Sequence, residues 1–286
     1  MYLVQVLSCC DNVTALGTNS SGQLAFQDPS LPYNPNTFWH VDQGFSPQGQ
    51  PLGFVLRHVN TGNTLAAQSD GTIVFKQINA LDGWSTWTAG NVNQAFAMRP
   101  FANPDLNFNI LNGCGNSKLG LWPWGGGQNN EIWRLIFPSG TPPAPQNNYK
   151  ISSGCADFKG NHPPLALGDK GSVVCGTLDT TAATWNVEMQ FAAGGVPLAS
   201  VSIVNVKNSL ALQYNGREQA AGFGKFSVNT SWTFGGAGPY VAVRPAADDS
   251  QNLNVFGGCG GGSRPVGTWE WGGGNPNEIW GFFQVD

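Results

Sequence analysis

Residues 121–133 read LWPWGGGQNNEIW, and residues 268–280 read TWEWGGGNPNEIW. Each stretch ends on a tryptophan that follows a Glu and an Ile. A tryptophan recurs at a similar interval through the rest of the chain, with spacings of 48, 46, 52, 47 and 48 residues. The six members are Trp39, Trp87, Trp133, Trp185, Trp232 and Trp280. A period near 47 residues indicates one supersecondary unit that is copied six times.

Each repeat consists of short apolar runs broken by Gly, Asn, Asp and Pro. The runs Leu65–Gln68 and Thr72–Phe75, which flank Ser69-Asp70-Gly71, are typical of a β-hairpin. No segment keeps a 3.6-residue apolar period over twelve positions, so little helix is expected. About four short strands fit into one repeat, and three such repeats close into a barrel with a hairpin cap. The predicted fold class is therefore all-β, with two tandem β-trefoil domains.

A single six-bladed propeller is the competing architecture, since a WD-type blade also has four strands in about 40–45 residues. The interval of 52 residues contains Phe137–Gln146, a Pro-rich run that cannot pair into a sheet. This run falls after the third repeat, which favours two separate trefoils. The predicted domains are residues 1–138 and 149–286, joined by a linker at 139–148. The six period-defining tryptophans are expected in the core, at the same barrel layer in every repeat.

The amino-acid composition limits the kinds of molecule that this protein is expected to bind. Charged residues are only 10% of the chain, well below the usual quarter, while Gly reaches 39 and Trp 11. The net charge of −4 and the lack of a Lys/Arg cluster argue against nucleic acid. No apolar stretch approaches 18 residues, so no membrane insertion is expected. A neutral, hydroxyl-rich partner such as a sugar suits this surface. Met1–Leu7 reads as a strand rather than a signal peptide, which predicts a cytoplasmic location or leaderless secretion.

The cysteines and histidines do not form a recognisable metal or redox motif. None of the six cysteines makes a CxxC, and the three histidines lie apart from them, so no zinc and no other cofactor is expected. The cysteines are expected to be small buried thiols, with at most one bridge, between Cys155 and Cys175. The sequence also lacks a nucleophile elbow, an HExxH motif and a phosphate-binding loop, which predicts a non-enzyme. Asp248 and Asp249 are interpreted as solvated turn residues.

The third repeat of each half carries a block that the other four repeats lack. Arg99 and Cys114 are separated by 15 residues, as are Arg244 and Cys259. A Trp-x-Trp pair then precedes three glycines, and alternation along a strand places both indoles on one face. An indole offers a flat surface to the C–H face of a pyranose, and an Asn side chain both donates and accepts hydrogen bonds. The predicted carbohydrate-binding residues are Asn109, Trp122, Trp124 and Asn130 in the first half and Asn254, Trp269, Trp271 and Asn277 in the second. Glu131 and Glu278 are expected to brace the loop.

The order Asn, Trp, Asn, Trp in both third repeats resembles the ricin B-type β-trefoil lectins. Repeats of that family end in Gln-x-Trp and run from an early Asp through an aromatic stacker to an Asn. The resemblance implies that Trp122 and Trp269 stack on the sugar and that Asn130 and Asn277 bind its hydroxyls. Asn109 and Asn254 would occupy the Asp position. Trp124 and Trp271 are additional to the family's pattern and are expected to extend the site to a second sugar residue.

The resemblance also implies a ligand class, galactose or N-acetylgalactosamine on glycoproteins or glycolipids. The chain departs from the family in having Glu for Gln in both motifs and Asn for the charged Asp that helps select such sugars. The other four repeats lack the stacker, so their sites are expected to be degenerate.

Two further functions stay open at this stage. β-Trefoils include protease inhibitors that act through exposed loops, and a purely structural module would use one indole of each pair to cover the barrel end. Neither explains why the same block appears once in each half. The bivalent lectin is therefore the favoured reading. A monomer or weak homodimer is expected, because a closed trefoil leaves no long exposed sheet edge.

Overall fold

The structure is a computed structural model that describes residues 2–10, 14–28, 34–47, 50–92, 95–137, 148–156, 162–176, 181–191, 197–235, 240–260 and 262–285. These residues form strands and four one-turn 3₁₀ helices, at Pro35–Thr37, Asp169–Gly171, Val228–Thr230 and Pro276–Glu278, with no α-helix. Within the same ranges, no helix is long and apolar enough to cross a membrane.

The chain separates into two compact units. Unit 1 comprises Met1–Ser46, Leu52–Pro145 and Phe191–Ala199, and unit 2 comprises Pro47–Pro51, Gln146–Gln190 and Ser200–Asp286. The strands that cross these bounds, Pro51–His58, Thr184–Phe191 and Pro197–Asn205, are described with the barrel into which they pair. The predicted linker at 139–148 lies outside the described residues, except for Asn148, which already belongs to a strand.

Unit 1 is a closed six-stranded barrel with three hairpins. Its strands are β1 (Tyr2–Ser8), β2 (Ala15–Thr18), β3 (Leu24–Gln27), β4 (Phe38–Phe45), β5 (Pro51–His58), β6 (Thr64–Ala67), β7 (Ile73–Lys76), β8 (Trp87–Val92), β9 (Ala95–Pro100), β10 (Leu106–Ile110), β11 (Leu119–Pro123) and β12 (Trp133–Ile136). The pairing β1–β4–β5–β8–β9–β12 returns to β1 and closes the ring. The pairs β2–β3, β6–β7 and β10–β11 form the hairpins, so each repeat contributes two barrel strands and one hairpin. This is the β-trefoil arrangement.

Unit 2 repeats the same topology. Its strands are β13 (Asn148–Ser153), β14 (Leu165–Leu167), β15 (Val173–Cys175), β16 (Thr184–Phe191), β17 (Pro197–Asn205), β18 (Ala211–Gln213), β19 (Gly222–Gly224), β20 (Trp232–Gly235), β21 (Ala242–Pro245), β22 (Gln251–Val255), β23 (Arg264–Glu270) and β24 (Trp280–Val285). The ring β13–β16–β17–β20–β21–β24 closes on β13, and a bridge between Val241 and Trp280 joins β21 to β24. The hairpins are β14–β15, β18–β19 and β22–β23. The prediction of two tandem β-trefoils is confirmed.

The six periodic tryptophans perform one packing task. Each is fully buried, and each indole N–H donates to a carbonyl on the first strand of its own repeat's hairpin, at 2.8–2.9 Å. In the third repeats, the acceptors are Phe108 for Trp133 and Leu253 for Trp280. A buried indole N–H needs such a partner, and here the bond ties the hairpin to the barrel. The core assignment made from the period is confirmed.

The cysteine prediction is wrong. Two disulfides are present, Cys10–Cys114 and Cys155–Cys259, and each spans 104 residues. Six cysteines allow fifteen pairings, and sequence distance does not select among them. The trefoil brings the end of its first strand beside the loop of its third hairpin, which is where both bridges lie. Cys175 stays a free buried thiol, and burial raises its pKa to about 11.

Candidate functional site

The third hairpin of each unit places an asparagine, a glycine and a tryptophan on one face. In unit 1, Asn107 lies opposite Trp122 and Asn109 lies opposite Gly120. Directly opposite residues, and residues two apart on one strand, share a face of the sheet. A Cβ on Gly120 would approach Leu111 Cδ1 to 2.7 Å, so a larger residue at this position would displace the Leu111 side chain.

Unit 2 has the same register. Asn252 lies opposite Trp269, and Asn254 lies opposite Gly267. A Cβ on Gly267 would collide with the carbonyl oxygen of Gln219 and with the ring of Phe256. The two hairpins are therefore built alike around an Asn–Gly pair that stands beside a Trp.

The indoles of this block lie on the surface. Trp122 is 62% exposed and Trp269 is 46% exposed, whereas the period-defining tryptophans are fully buried. Trp124 and Trp271 are 37% and 39% exposed and follow the last residues of β11 and β23. A folding requirement does not account for four exposed indoles at matching positions, because exposed large aromatics add nothing to a core.

A buried carboxylate shapes the loop that follows each Trp pair. Glu131 is 2% exposed, and its carboxylate accepts backbone N–H groups from Gly125, Gly127 and Gln128 at 2.7–2.9 Å. Glu278 is similarly buried and accepts from Gly272, Gly274 and Asn275 at 2.7–2.9 Å.

The three glycines follow from this geometry. In each loop the second and third glycines have φ between +91° and +97°, a region that favours Gly. A Cβ on the first glycine would press against the carboxylate oxygens, at 3.1 Å from Glu131 and 3.0 Å from Glu278. Glu131 and Glu278 therefore brace the loop, as the sequence predicts.

The predicted asparagines are paired side chain to side chain. Asn130 Nδ2 donates to Asn109 Oδ1 at 2.6 Å and to the carbonyl of Ile110 at 3.0 Å. Asn277 Nδ2 donates to Asn254 Oδ1 at 2.8 Å and to the carbonyl of Val255 at 3.5 Å. The amide N–H groups of Asn130 and Asn277 are thus used within the protein.

The Asn pair leaves one donor and one acceptor for a ligand. Within the described residues, Asn109 Nδ2 and Asn130 Oδ1 have no hydrogen-bond partner, and neither atom is among the buried unpartnered ones. The same holds for Asn254 Nδ2 and Asn277 Oδ1. A donor beside an acceptor matches two neighbouring hydroxyls, since a hydroxyl serves in either role.

Two arginines next to this block were not assigned a role from the sequence. Arg99 Cζ lies 5.3 Å from the ring centroid of Trp124, and Arg244 Cζ lies 5.5 Å from that of Trp271. Both contacts are within cation–π range. The sequence signal was the shared Arg-Pro dipeptide, at Arg99 and Arg244, which marks the start of the block in each half.

The surroundings of the two sites differ. In unit 2, the segment after β18 lies along β23: the Thr268 backbone N–H donates to the carbonyl of Gln219 at 3.0 Å, and Thr268 Oγ1 donates to that of Gly216 at 2.8 Å. Arg217 Nε forms an ion pair with Asp248 at 2.8 Å. Hydrogen bonds from Arg217 and then Ser250 lower the pKa of Asp248 to about 2.

The corresponding contact in unit 1 is smaller. There, the Leu121 backbone N–H donates to the carbonyl of Gly71 at 3.0 Å. The ring of Phe256 also meets Trp269 edge-on at 6.3 Å, at the position that Leu111 occupies in unit 1. Nothing in the repeat period predicted these differences.

A cavity of about 560 Å³ lies elsewhere in unit 1, in the second repeat. Its lining includes Ala66 and Val74, which pair as Asn109 and Gly120 do in the third repeat. Lys76 stands where the third repeat has Trp122, and Trp84 stands three residues before the core Trp, as Asn130 does. This cavity therefore has neither the stacking indole nor the Asn pair.

No family model and no curated protein matches the chain. Among solved structures, the chain is similar to a mosquitocidal holotoxin, at 16% identity and a TM-score of 0.40, covering 100% of this chain and 34% of that one. It is similar to a Polyporus squamosus lectin bound to a sialylated epitope, at 17% identity and a TM-score of 0.39, covering 50% and 51% of the two chains. It is also similar to the C-half of an earthworm R-type lectin in complex with GalNAc, at 14% identity and a TM-score of 0.35, covering 49% and 100%. The chain spans about a third of the length of the holotoxin.

Proposed function

We propose that this chain is a non-enzymatic, bivalent carbohydrate-binding lectin, with one site in the third repeat of each unit. The observation that carries the proposal is an exposed indole beside an amide pair that offers one donor and one acceptor. This arrangement is built twice, from Trp122, Asn109 and Asn130 and from their unit 2 counterparts. The other four repeats lack this block and therefore lack the arrangement.

In the proposed mode, the C–H face of a pyranose lies on Trp122 or Trp269 and its rim meets the amides. Asn109 Nδ2 donates to one hydroxyl, and Asn130 Oδ1 accepts from the next. Each such hydrogen bond contributes only about 0.5–1.5 kcal/mol net. A single shallow site should therefore bind a simple sugar with a Kd of roughly 0.1–1 mM.

Galactose and N-acetylgalactosamine are the ligand class that the family resemblance implies. Asn109 and Asn254 replace a charged Asp there, so the selectivity for these sugars is expected to be weaker than in the family. Partners would be glycans on glycoproteins or glycolipids. Two weak sites on one chain bind a multivalent surface with higher avidity, because the second event is intramolecular.

The test is the Trp122→Ala, Trp269→Ala double variant. We expect loss of hemagglutination and of binding on a glycan array, by at least about tenfold, because stacking on an aromatic ring contributes about 1–3 kcal/mol in other ring-stacking sites. Circular dichroism and thermal melting should be unchanged, since both indoles are exposed.

Phe226→Ala is the matched control. This residue is a 64% exposed aromatic in a repeat that lacks the block, so its removal should leave binding unchanged. Agglutination that survives in the folded double variant would refute the site.

A further inference from the structure

Arg99 in unit 1 is held in a fixed position without an acidic partner. Its guanidinium lies between the Trp124 ring and the backbone of Gly90, where a Cβ would be 3.2 Å from Cζ. Its Nε is buried and unpartnered, whereas its terminal nitrogens are not among the buried, unpartnered atoms of the described residues. Within the described residues, no carboxylate forms a salt bridge with Arg99. Arg244 has the same environment, with Trp271 and Gly235.

A guanidinium that is held in place without an acidic partner can bind an anion from outside the protein. Its planar fork matches the oxygens of a carboxylate or a sulfate, and stacking on an aromatic ring fixes its orientation in advance. Arginines that serve only the fold usually have an internal acceptor, because a partly buried charge is costly to leave unpaired. Within the described residues, the Arg99 guanidinium packs between an indole face and Gly90 and has no carboxylate partner.

The arginine is also close to the proposed sugar. Trp122 and Trp124 are two residues apart, which along an extended strand corresponds to about 7 Å. A saccharide on Trp122 therefore brings substituents of its own ring, or of a neighbouring unit, within reach of Arg99. Because Arg99 stacks on Trp124, this indole serves as the support of the guanidinium.

We infer that Arg99 with Trp124 forms a subsite for a negatively charged substituent, a carboxylate or a sulfate, on the glycan that unit 1 binds. This inference rests on the proposed lectin function and adds the charge class of the ligand. The neutral sugar face remains on Trp122, and the charged group occupies the guanidinium fork.

The same pair in unit 2 stands in a more acidic setting. Residues 99–134 carry three cations and two carboxylates, whereas the equivalent residues 244–281 carry two cations and four carboxylates. Glu270 takes the place of Pro123 between the two tryptophans. Its charge opposes an incoming anion, so the preference for charged glycans should be smaller in unit 2.

The Trp269→Ala variant keeps the exposed indole of unit 1 and loses that of unit 2. This variant is titrated with lactose, 3′-sialyllactose and lactose 3′-sulfate by isothermal titration calorimetry. We expect at least one charged form to bind about tenfold more tightly than lactose, since hydrogen bonds to charged groups exceed neutral ones. The preference should fall as the salt concentration rises. Comparison of the titrations with 3′-sialyllactose and lactose 3′-sulfate shows whether the Arg99 guanidinium binds a carboxylate or a sulfate.

Arg99→Gln should remove the preference, so that lactose and the two charged saccharides bind with similar affinity. Arg99→Lys keeps the charge without the fork and should retain part of the preference. Arg134→Gln is the matched control, because it makes the same charge change at an exposed position of the same repeat. Its preference for charged glycans should be unchanged.

Two outcomes overturn the inference alone: equal affinity for all three saccharides, or a preference that survives in Arg99→Gln. In both cases lactose would still bind and Trp122→Ala would still abolish that binding. Failure of the proposed function has a different signature, namely lactose binding that is absent or that Trp122→Ala leaves unchanged.

Discussion

The third repeats of the two units share an inner construction and differ in what surrounds it. Both have a buried Glu that accepts three backbone N–H groups, an Asn pair and an Arg stacked on a Trp. Unit 2 adds Phe256 and the segment around Gln219, and Trp269 is 46% exposed, compared with 62% for Trp122 in unit 1. The two candidate sites therefore share their inner geometry and differ in the exposure of the indole.

The disulfides belong to the shared construction, and breaking one gives the largest expected effect. Cys114→Ser should destabilise unit 1 by about 2–5 kcal/mol, because a bridge that closes a loop of about 100 residues strongly restricts the unfolded chain. Cys259→Ser should have an effect of similar size on unit 2. Differential scanning calorimetry of each variant measures the loss.

Cys9→Ser is the control for the disulfide variants, since Cys9 is a free, half-buried thiol next to a bridged one. Its melting should match that of the original protein. If Cys114→Ser also melted like the original protein, the Cys10–Cys114 bridge would not contribute to stability. A stabilising disulfide could then not be counted among the features that the two units share.

The loop clamp is the second test. Glu131→Gln keeps the shape but offers one acceptor oxygen where the carboxylate offers two, and its NH₂ faces a backbone N–H. We expect a loss of about 1.5–3 kcal/mol in the stability of unit 1, the size of a hydrogen bond to a charged group. Lactose binding by unit 1, measured in the Trp269→Ala background, should weaken as well.

Glu278→Gln should produce the same losses in unit 2, because Glu278 makes the same three bonds. Asp249→Asn is the control, as an exposed carboxylate in the same repeat. Full stability and full binding in both Glu131→Gln and Glu278→Gln would show that a neutral amide serves equally well and that the negative charge is not needed to hold the loop.

The fold was readable from the sequence because one residue type performs one task six times. A buried indole that bonds to its own hairpin must recur with the repeat, so the spacing of Trp39, Trp87 and the others carries the architecture. The exposed indoles could also be predicted from the sequence, but for the opposite reason. Trp122 and Trp269 do not belong to the repeating series, and each lies next to a glycine turn that a core strand would not have.

The remaining features depend on contacts between distant segments, which leave no local pattern. Cys10 and Cys114 meet only because the barrel closes. The Asn130–Asn109 bond uses the amide N–H groups of Asn130 within the protein and leaves its oxygen without a partner among the described residues. Arg99 lies on β9 and contacts Trp124, which follows β11, so its spacing along the chain carries no signal of the contact.

The smallest expected effect concerns the origin of the unequal exposure of Trp269 and Trp122. An edge-on aromatic contact contributes about 0.5–1.5 kcal/mol, enough to hold the Trp269 ring against Phe256. Phe256→Leu gives unit 2 the residue of unit 1, and the oxidation of Trp269 by N-bromosuccinimide, followed by peptide mass spectrometry, should accelerate toward the rate of Trp122. Leu111→Phe should slow Trp122 in return. The opposite result would be faster oxidation of Trp269 in Arg217→Ala and unchanged oxidation in Phe256→Leu. In that case access to Trp269 is limited by the segment that the Arg217–Asp248 ion pair anchors, and not by the aromatic contact.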